Sequence, residues 1–152
     1  MSQYDYQYCQ KIVVFSSDLK SILLCKRKGE SDYDGDYSFI GGKMENSDGT
    51  FINGLQREKN EEVGEQFKIE IYPNFTANVV FQKKSGEYMV LPHYWARHLA
   101  GEIKLNEEYS DFKWVPLEEV ADFEPKIPTI PGIMKEMLKL RQLISPADLI
   151  QI

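Results

Sequence analysis

Apolar residues in this sequence come in short runs separated by polar turns, a rhythm that belongs to strands more than to long helices. Residues 11–16 (KIVVFS) and 21–27 (SILLCKR) flank the polar turn Ser17-Asp18-Leu19-Lys20 and predict a β-hairpin. The stretch 29–36, rich in Asp, Ser and Gly, has no core of its own and leads into a third strand over 37–40, which delivers the chain to Gly41-Gly42. Phe51, Ile52, Leu55 and Val63 then mark the apolar side of a helix running to about Glu62, with Thr50 or Asp48 as its cap and Gly64 as its stop. Strands follow at 67–72, 77–81 and 88–99. Pro92 interrupts the last of these, and its missing backbone donor predicts a kink or an edge position there. A loop over 106–111 leads to a short strand at 112–115 and a helical turn at 117–120. A final helix from near Pro131 carries Ile133, Met137, Leu140 and Ile144 on one stripe and ends before Ser145-Pro146, with Met134 and Met137 read as core. Strands, one embedded helix, more strands and a terminal helix imply an α/β (α+β) fold, a mixed β-sheet with helices on both faces, in one domain over 1–152.

The embedded helix also carries the chemistry. Glu58, Glu61 and Glu62 stand at i, i+3 and i+4, so three carboxylates project from one face toward a common point. Their repulsion costs stability unless a cation sits among them, and oxygen ligands at this density suit Mg²⁺ or Mn²⁺ better than zinc. The formal net charge of −6 argues against a general binder of duplex nucleic acid or of anionic membrane. No apolar run reaches the length of a membrane span, and the start of the chain lacks the features of a signal peptide, so the expected location is the cytoplasm. Cys9 and Cys25 have no metal-type spacing and read as reduced structural residues.

Gly42, followed by Arg57-Glu58-Lys59-Asn60-Glu61-Glu62-Val63-Gly64, resembles the box of the Nudix hydrolase family. That box runs glycine, five residues, glutamate, seven residues, then Arg-Glu-aliphatic-any-Glu-Glu-any-Gly-aliphatic. The second half matches at the family's own spacing, and the late segment Phe112 to Glu119 looks like the family's closing strand and helix. The resemblance implies a Nudix-type α/β/α sandwich. It also departs from the pattern. One extra residue separates Gly42 from Arg57, which leaves Gly49 where the first glutamate belongs and Asp48 or Glu45 to replace it. Lys59 replaces an aliphatic residue, with a stem able to cover apolar surface while its amine reaches water. Glu65 replaces the final aliphatic residue, and Ile40 stands where a proline often precedes the glycines.

By the same resemblance the activity is metal-assisted hydrolysis of the diphosphate linkage of a nucleoside diphosphate derivative, releasing a nucleoside monophosphate. Glu58 and Glu62 are implied as metal ligands, Glu61 as a ligand or base, the Gly42 carbonyl as a further ligand, and Arg57 as the residue that orients a glutamate. Glu107 or Glu108 is the candidate for an additional acid, and Lys43 and Gly41 for contacts to substrate. Lys26, Arg27 and Lys28 read as a solvated basic cluster. Tyr4, Tyr6, Phe81 and Tyr94 are conceivable platforms for a base, while His93 and His98 point to opposite faces of their strand and share no metal. The flags of the subfamilies acting on ADP-ribose or dinucleoside polyphosphates, a proline or tyrosine on the order of 15 residues past the box, are absent. Val79, Val80 and Phe81 occupy that region. A nucleotide sugar, an ADP-ribose-like compound or a dinucleotide is favoured as substrate, because the loop 30–36 is expected to close over a second moiety, and noncanonical nucleoside triphosphates are the further alternative. A nucleotide-binding module with a degenerate box is the rival to the enzyme, and a homodimer is compatible with either.

Overall fold

The computed structural model describes residues 5–152. Its centre is a mixed sheet. The strands are β1 (Tyr6–Phe15), β2 (Ser21–Arg27), β3 (Tyr37–Ser38), β4 (Ile40–Lys43), β5 (Lys68–Ile71), β6 (Ala77–Gln82), β7 (Tyr88–Ala100), β8 (Tyr109–Pro116) and β9 (Ile150–Gln151). The order across the main path is β3-β2-β1-β7-β5-β9, with β4 also on β1, β6 also on β7 and β8 also on β2. β1 and β7 run parallel, and the other pairs are antiparallel. Alternation along β1 sends Ile12 and Val14 to one face, where Leu55 and Val63 of helix α1 (Phe51–Val63) cover them. Val13 and Phe15 face the other way, against Ile133, Met134 and Met137 of helix α2 (Ile130–Arg141). The sheet therefore has a helix on each side. Among the described residues, no helix is long and apolar enough to cross a membrane.

Several strand limits differ from the expectation. β1 begins at Tyr6 because its polar first half is paired on both sides, with β4 and with β7, and so needs no apolar alternation to be held. Pro92 lies at neither an edge nor a chain end, since β7 pairs with both β1 and β6. The β1–β7 ladder is instead interrupted between Tyr8↔Val90 and Lys11↔His93, which is where a residue without an N–H does least harm. β8 starts at Tyr109, earlier than expected, and β9 was not foreseen from so short a segment. Phe51 is not core: it is exposed and rests on the Tyr8 ring, at 5.4 Å between centroids.

Lys59 corrects a second expectation. Its side chain is fully buried rather than reaching water, and its Nζ donates only to the Gly64 carbonyl at 3.4 Å. The apolar underside of α1 encloses the whole side chain, and the open carbonyl at the helix end is its single polar contact. Burial pushes the amine down to about 8. The unfolded chain thus binds more protons than the native one between about pH 8 and the ordinary lysine range, and the penalty is fully present below pH 8. Lys59→Met should raise stability by about 1–3 kcal/mol at pH 7. Thermal unfolding measured from pH 7 to 10 should show the variant's advantage shrinking as pH rises.

Candidate active site

The glycine pair and α1 meet at the edge of β4. Gly41 has φ +126°, and any side chain there would run into the Gln10 carbonyl of β1. At Gly42 a Cβ would fall on the Glu58 carboxylate, so the backbone of this strand and the acid of the helix are in direct contact. Thr50 caps α1, its Oγ1 accepting from Asn53 N–H at 3.1 Å, and Gly64 closes the helix. The two glycines therefore bring β4 against the helix face that carries the box.

Arg57 is the hub of this junction. Its Nε and Nη2 donate to the two oxygens of Asp48 at 2.7 and 3.0 Å, and Nη2 also reaches the Lys43 carbonyl at 2.9 Å. Nη1 donates to Glu58 at 2.9 Å and lies 3.3 Å from Glu61. Asp48 is buried and also accepts from Glu45 N–H at 2.8 Å. Arg57 beside it lowers its carboxyl to about 2. Of the two acids expected to replace the first glutamate, Asp48 makes the close fork, whereas Glu45 is exposed and 3.6 Å away. The extra residue in the loop is absorbed beyond it, around Gly49.

The three glutamates of the helix do not share one environment. Glu62 is 2 % exposed, and its carboxylate accepts from Gly41 N–H at 2.9 Å and from the Tyr109 hydroxyl at 2.9 Å. Among the described residues, no cation stands within ion-pair distance of it. Burial raises its pKa to about 8, with Lys11 opposing the shift. Glu58 is also buried, and desolvation raises it against the pull of Arg57. Glu61 is half in solvent. Its position on the same turn is as expected, but it does not share the burial of the other two, because the helix rolls Glu58 and Glu62 toward β4.

These groups line a cavity of about 610 Å³. Glu108 lines it as well and acts electrostatically on both Glu58 and Glu62, whereas Glu107 is exposed and does not border it. Lys43 is exposed at the cavity wall. A more open groove of about 650 Å³ between β6 and α2 has a single carboxylate, Glu136, and so lacks comparable chemistry. Arg27, expected as solvated surface, lines the acidic cavity because its Nε donates to the Asp32 carbonyl at 3.3 Å. Phe81 is the one expected base platform that borders the cavity, where it meets Tyr33 at 5.6 Å. Tyr94 is core, Tyr6 is exposed beside Tyr88, and Tyr4 lies outside the described residues. The loop 30–36 joins the β6–β7 turn through Asp32, whose Oδ1 accepts from Lys84 N–H at 3.1 Å. Two residues escaped the sequence reading. Lys11, whose Nζ donates to the Gly41 carbonyl at 3.2 Å, was legible only as a charge inside an apolar strand, and Tyr109 is one tyrosine among nine.

Among the described residues, no three acidic, imidazole or thiol groups already surround one point at coordinating distance. Glu58 is turned to Arg57, and Glu62 to Gly41 and Tyr109. The donor set is nonetheless all oxygen, holds two buried carboxylates, and leaves Glu62 with no cationic contact. It fits a hard divalent cation in chemistry and charge.

The model of the NUDIX domain matches residues 6–139. The chain belongs to the NUDIX family. Membership in this family supports an enzyme acting on pyrophosphate bonds. A nucleoside triphosphatase, NudI, from Escherichia coli is 28% identical over 130 residues, covering 80% of this chain and 88% of that protein. Among solved structures, the MutT protein of Methanosarcina mazei aligns with a TM-score of 0.76 at 17% identity, covering 93% of this chain and 99% of its own. The NUDIX domain of Shewanella oneidensis NrtR, solved with ADP ribose, aligns with a TM-score of 0.64 at 20% identity, covering 93% and 90%. Both neighbours share the mixed sheet with flanking helices.

The burial of Glu62 has a pH consequence for the metal-free protein. Its folded pKa is above the unfolded value, so the native state binds the extra proton between about pH 4.5 and 8, and this stabilisation is lost as pH rises through 8. With a chelator present, the melting temperature of the unmutated protein should fall from pH 5 to 8 relative to that of Glu62→Gln. Parallel curves would show that Glu62 is ionised at both ends.

Proposed function

We propose that the chain hydrolyses the pyrophosphate linkage of a nucleoside phosphate derivative, releasing a nucleoside monophosphate, with Mg²⁺ or Mn²⁺ as cofactor. The observation that carries this reading is the buried, cation-free carboxylate of Glu62 beside Glu58 and the backbone of Gly42. Glu58, Glu62 and the Gly42 carbonyl would hold the ion, with Glu61 and Glu108 as further acids lining the same cavity. When bound, a divalent cation neutralises the diphosphate and lowers the pKa of water. Glu61, solvent-facing and held only loosely by Arg57, is free to take a proton from attacking water. Arg57, locked by Asp48 and the Lys43 carbonyl, fixes the orientation of Glu58. Lys11 and Lys43 supply positive charge for phosphate oxygens. Gly41 contributes its N–H to Glu62 rather than to substrate.

Asp48 supports catalysis over a non-hydrolysing module, because it closes on Arg57 and so makes good the altered loop. The likeness to a protein named as a nucleoside triphosphatase favours including nucleoside triphosphates beside nucleotide sugars and dinucleotides as substrates. Chromatographic product analysis with Mg²⁺ or Mn²⁺ across those three classes tests the reading. Nucleoside monophosphate should appear only with metal, and Glu62→Gln should lower kcat by at least about a hundredfold. Metal-independent turnover, or full activity in the variant, would refute it. Glu108→Gln should reduce kcat/KM by more than tenfold, while Glu107→Gln leaves it within about twofold. Equal effects of the two would remove Glu108 from the site.

A further inference from the structure

Part of the cavity wall is built by the sheet rather than by the acidic helix, and its chemistry is not used by the carboxylates. The register sets Gly41 of β4, Lys11 of β1 and His93 of β7 in one row across three adjacent strands. At ordinary strand spacing, His93 stands two strands, roughly 10 Å, from Gly41. That is about the reach from the phosphates of a nucleotide to its base. Lys11 lies between the two, its ammonium bonded to the Gly41 carbonyl at 3.2 Å with donors to spare.

His93 is 4 % exposed and borders the cavity. Its Nδ1 is 2.9 Å from the Leu91 carbonyl and 3.2 Å from the Ala77 carbonyl. Both neighbours are acceptors, so the proton resides on Nδ1, and Nε2 is an acceptor without a partner among the described residues. Burial lowers the ring's pKa to about 4, and Lys11, the charged group acting on it, pushes the same way, so Nε2 keeps its lone pair across the neutral range. The Phe39 ring stands edge-on to the imidazole at 5.7 Å and fixes its plane. In the same cavity Ser38, 2 % exposed, has an Oγ with no partner. His93 and Ser38 line the cavity together with Val79, Leu91 and Ile130, and the Ser38 Oγ, buried without a partner, is a group that a ligand would complete.

We propose that His93 Nε2 accepts a hydrogen bond from an N–H on the edge of a nucleobase seated against β7, with the phosphates running past Lys11 to the carboxylates at Gly41. This rests on the hydrolase reading above and assigns the nucleoside end of the substrate, rather than the second moiety, to the sheet wall. His93 is then a specificity residue, and the loop 30–36 lies outside the base seat.

Calorimetric binding with Ca²⁺ in place of Mg²⁺ tests this. The probes are ATP, GTP, CTP and UTP, the same four with every edge N–H replaced by N-methyl (amino groups dimethylated, ring N–H methylated), their 2′,3′-dideoxy forms, and tripolyphosphate as the base-free reference. In the unmutated protein at least one nucleotide should bind about tenfold more tightly than tripolyphosphate, and methylation should remove that factor. His93→Phe should lose the same factor without changing tripolyphosphate affinity, and His93→Gln, which keeps an acceptor, should recover part of it. The methylated nucleotides decide the matter even where His93→Phe folds poorly. The proposal is overturned if no base improves on tripolyphosphate, if methylation is without effect, or if the dideoxy forms lose the factor while the methylated ones keep it. Absence of turnover with Mg²⁺ would count against the hydrolase reading alone, because the binding ratios do not depend on turnover.

Discussion

A carboxylate held out of water with no cation against it is the constraint to which this architecture answers. Glu62 sits beneath the backbone of Gly41 and the hydroxyl of Tyr109, and these two hydrogen bonds, with the more distant charge of Lys11, are what offset its desolvation. Each comes from a different part of the chain. Gly41 is presented by β4, where its positive φ and the Gln10 carbonyl against it leave no room for a side chain. Tyr109 is presented by β8, which the sheet carries to the same spot through β2. A group stabilised this weakly as an anion favours its protonated form toward neutral pH.

Around this acid, Arg57 converts the loop between β4 and α1 into a rigid piece. One guanidinium ties Asp48, the Lys43 carbonyl and Glu58 together. Planar, forked donation is what allows a single residue to hold a carboxylate on one side and orient another beyond it. The result is an asymmetric set of acids: Glu62 deep and unpaired, Glu58 deep and tethered, Glu61 at the surface. Charges that would merely repel on an open helix face are thereby separated into distinct electrostatic roles.

The elements and the box were legible because their signals are local. Thr50, Gly64 and the spacing of Leu55 and Val63 define α1 by themselves, and the hairpin of β1 and β2 follows from its apolar runs. The first half of β1 and the start of β8 were not legible. Gln10 and Tyr109 are placed by pairing and by a cavity rather than by periodicity, and Lys11, inside the expected strand, takes its role from the Gly41 carbonyl it meets. The edge position considered for Pro92 failed for the same reason, since only the parallel ladder reveals a gap that tolerates it inside the sheet. The role of Asp48 could be narrowed to two acids but not decided, because a short loop can turn either Asp48 or Glu45 toward Arg57. The burial of Lys59 contradicts the usual habit of long cationic side chains and became apparent only once the packing under α1 was in view.

The most direct test of the account is Mn²⁺ titration of the metal-free protein by calorimetry at pH 7 in two buffers of different ionisation enthalpy. If Glu62 is the protonated, buried ligand, binding should release up to about one proton per ion, and both the affinity and the proton release should collapse in Glu62→Gln. Equal Mn²⁺ affinity in the two proteins, or binding without proton release, would contradict it.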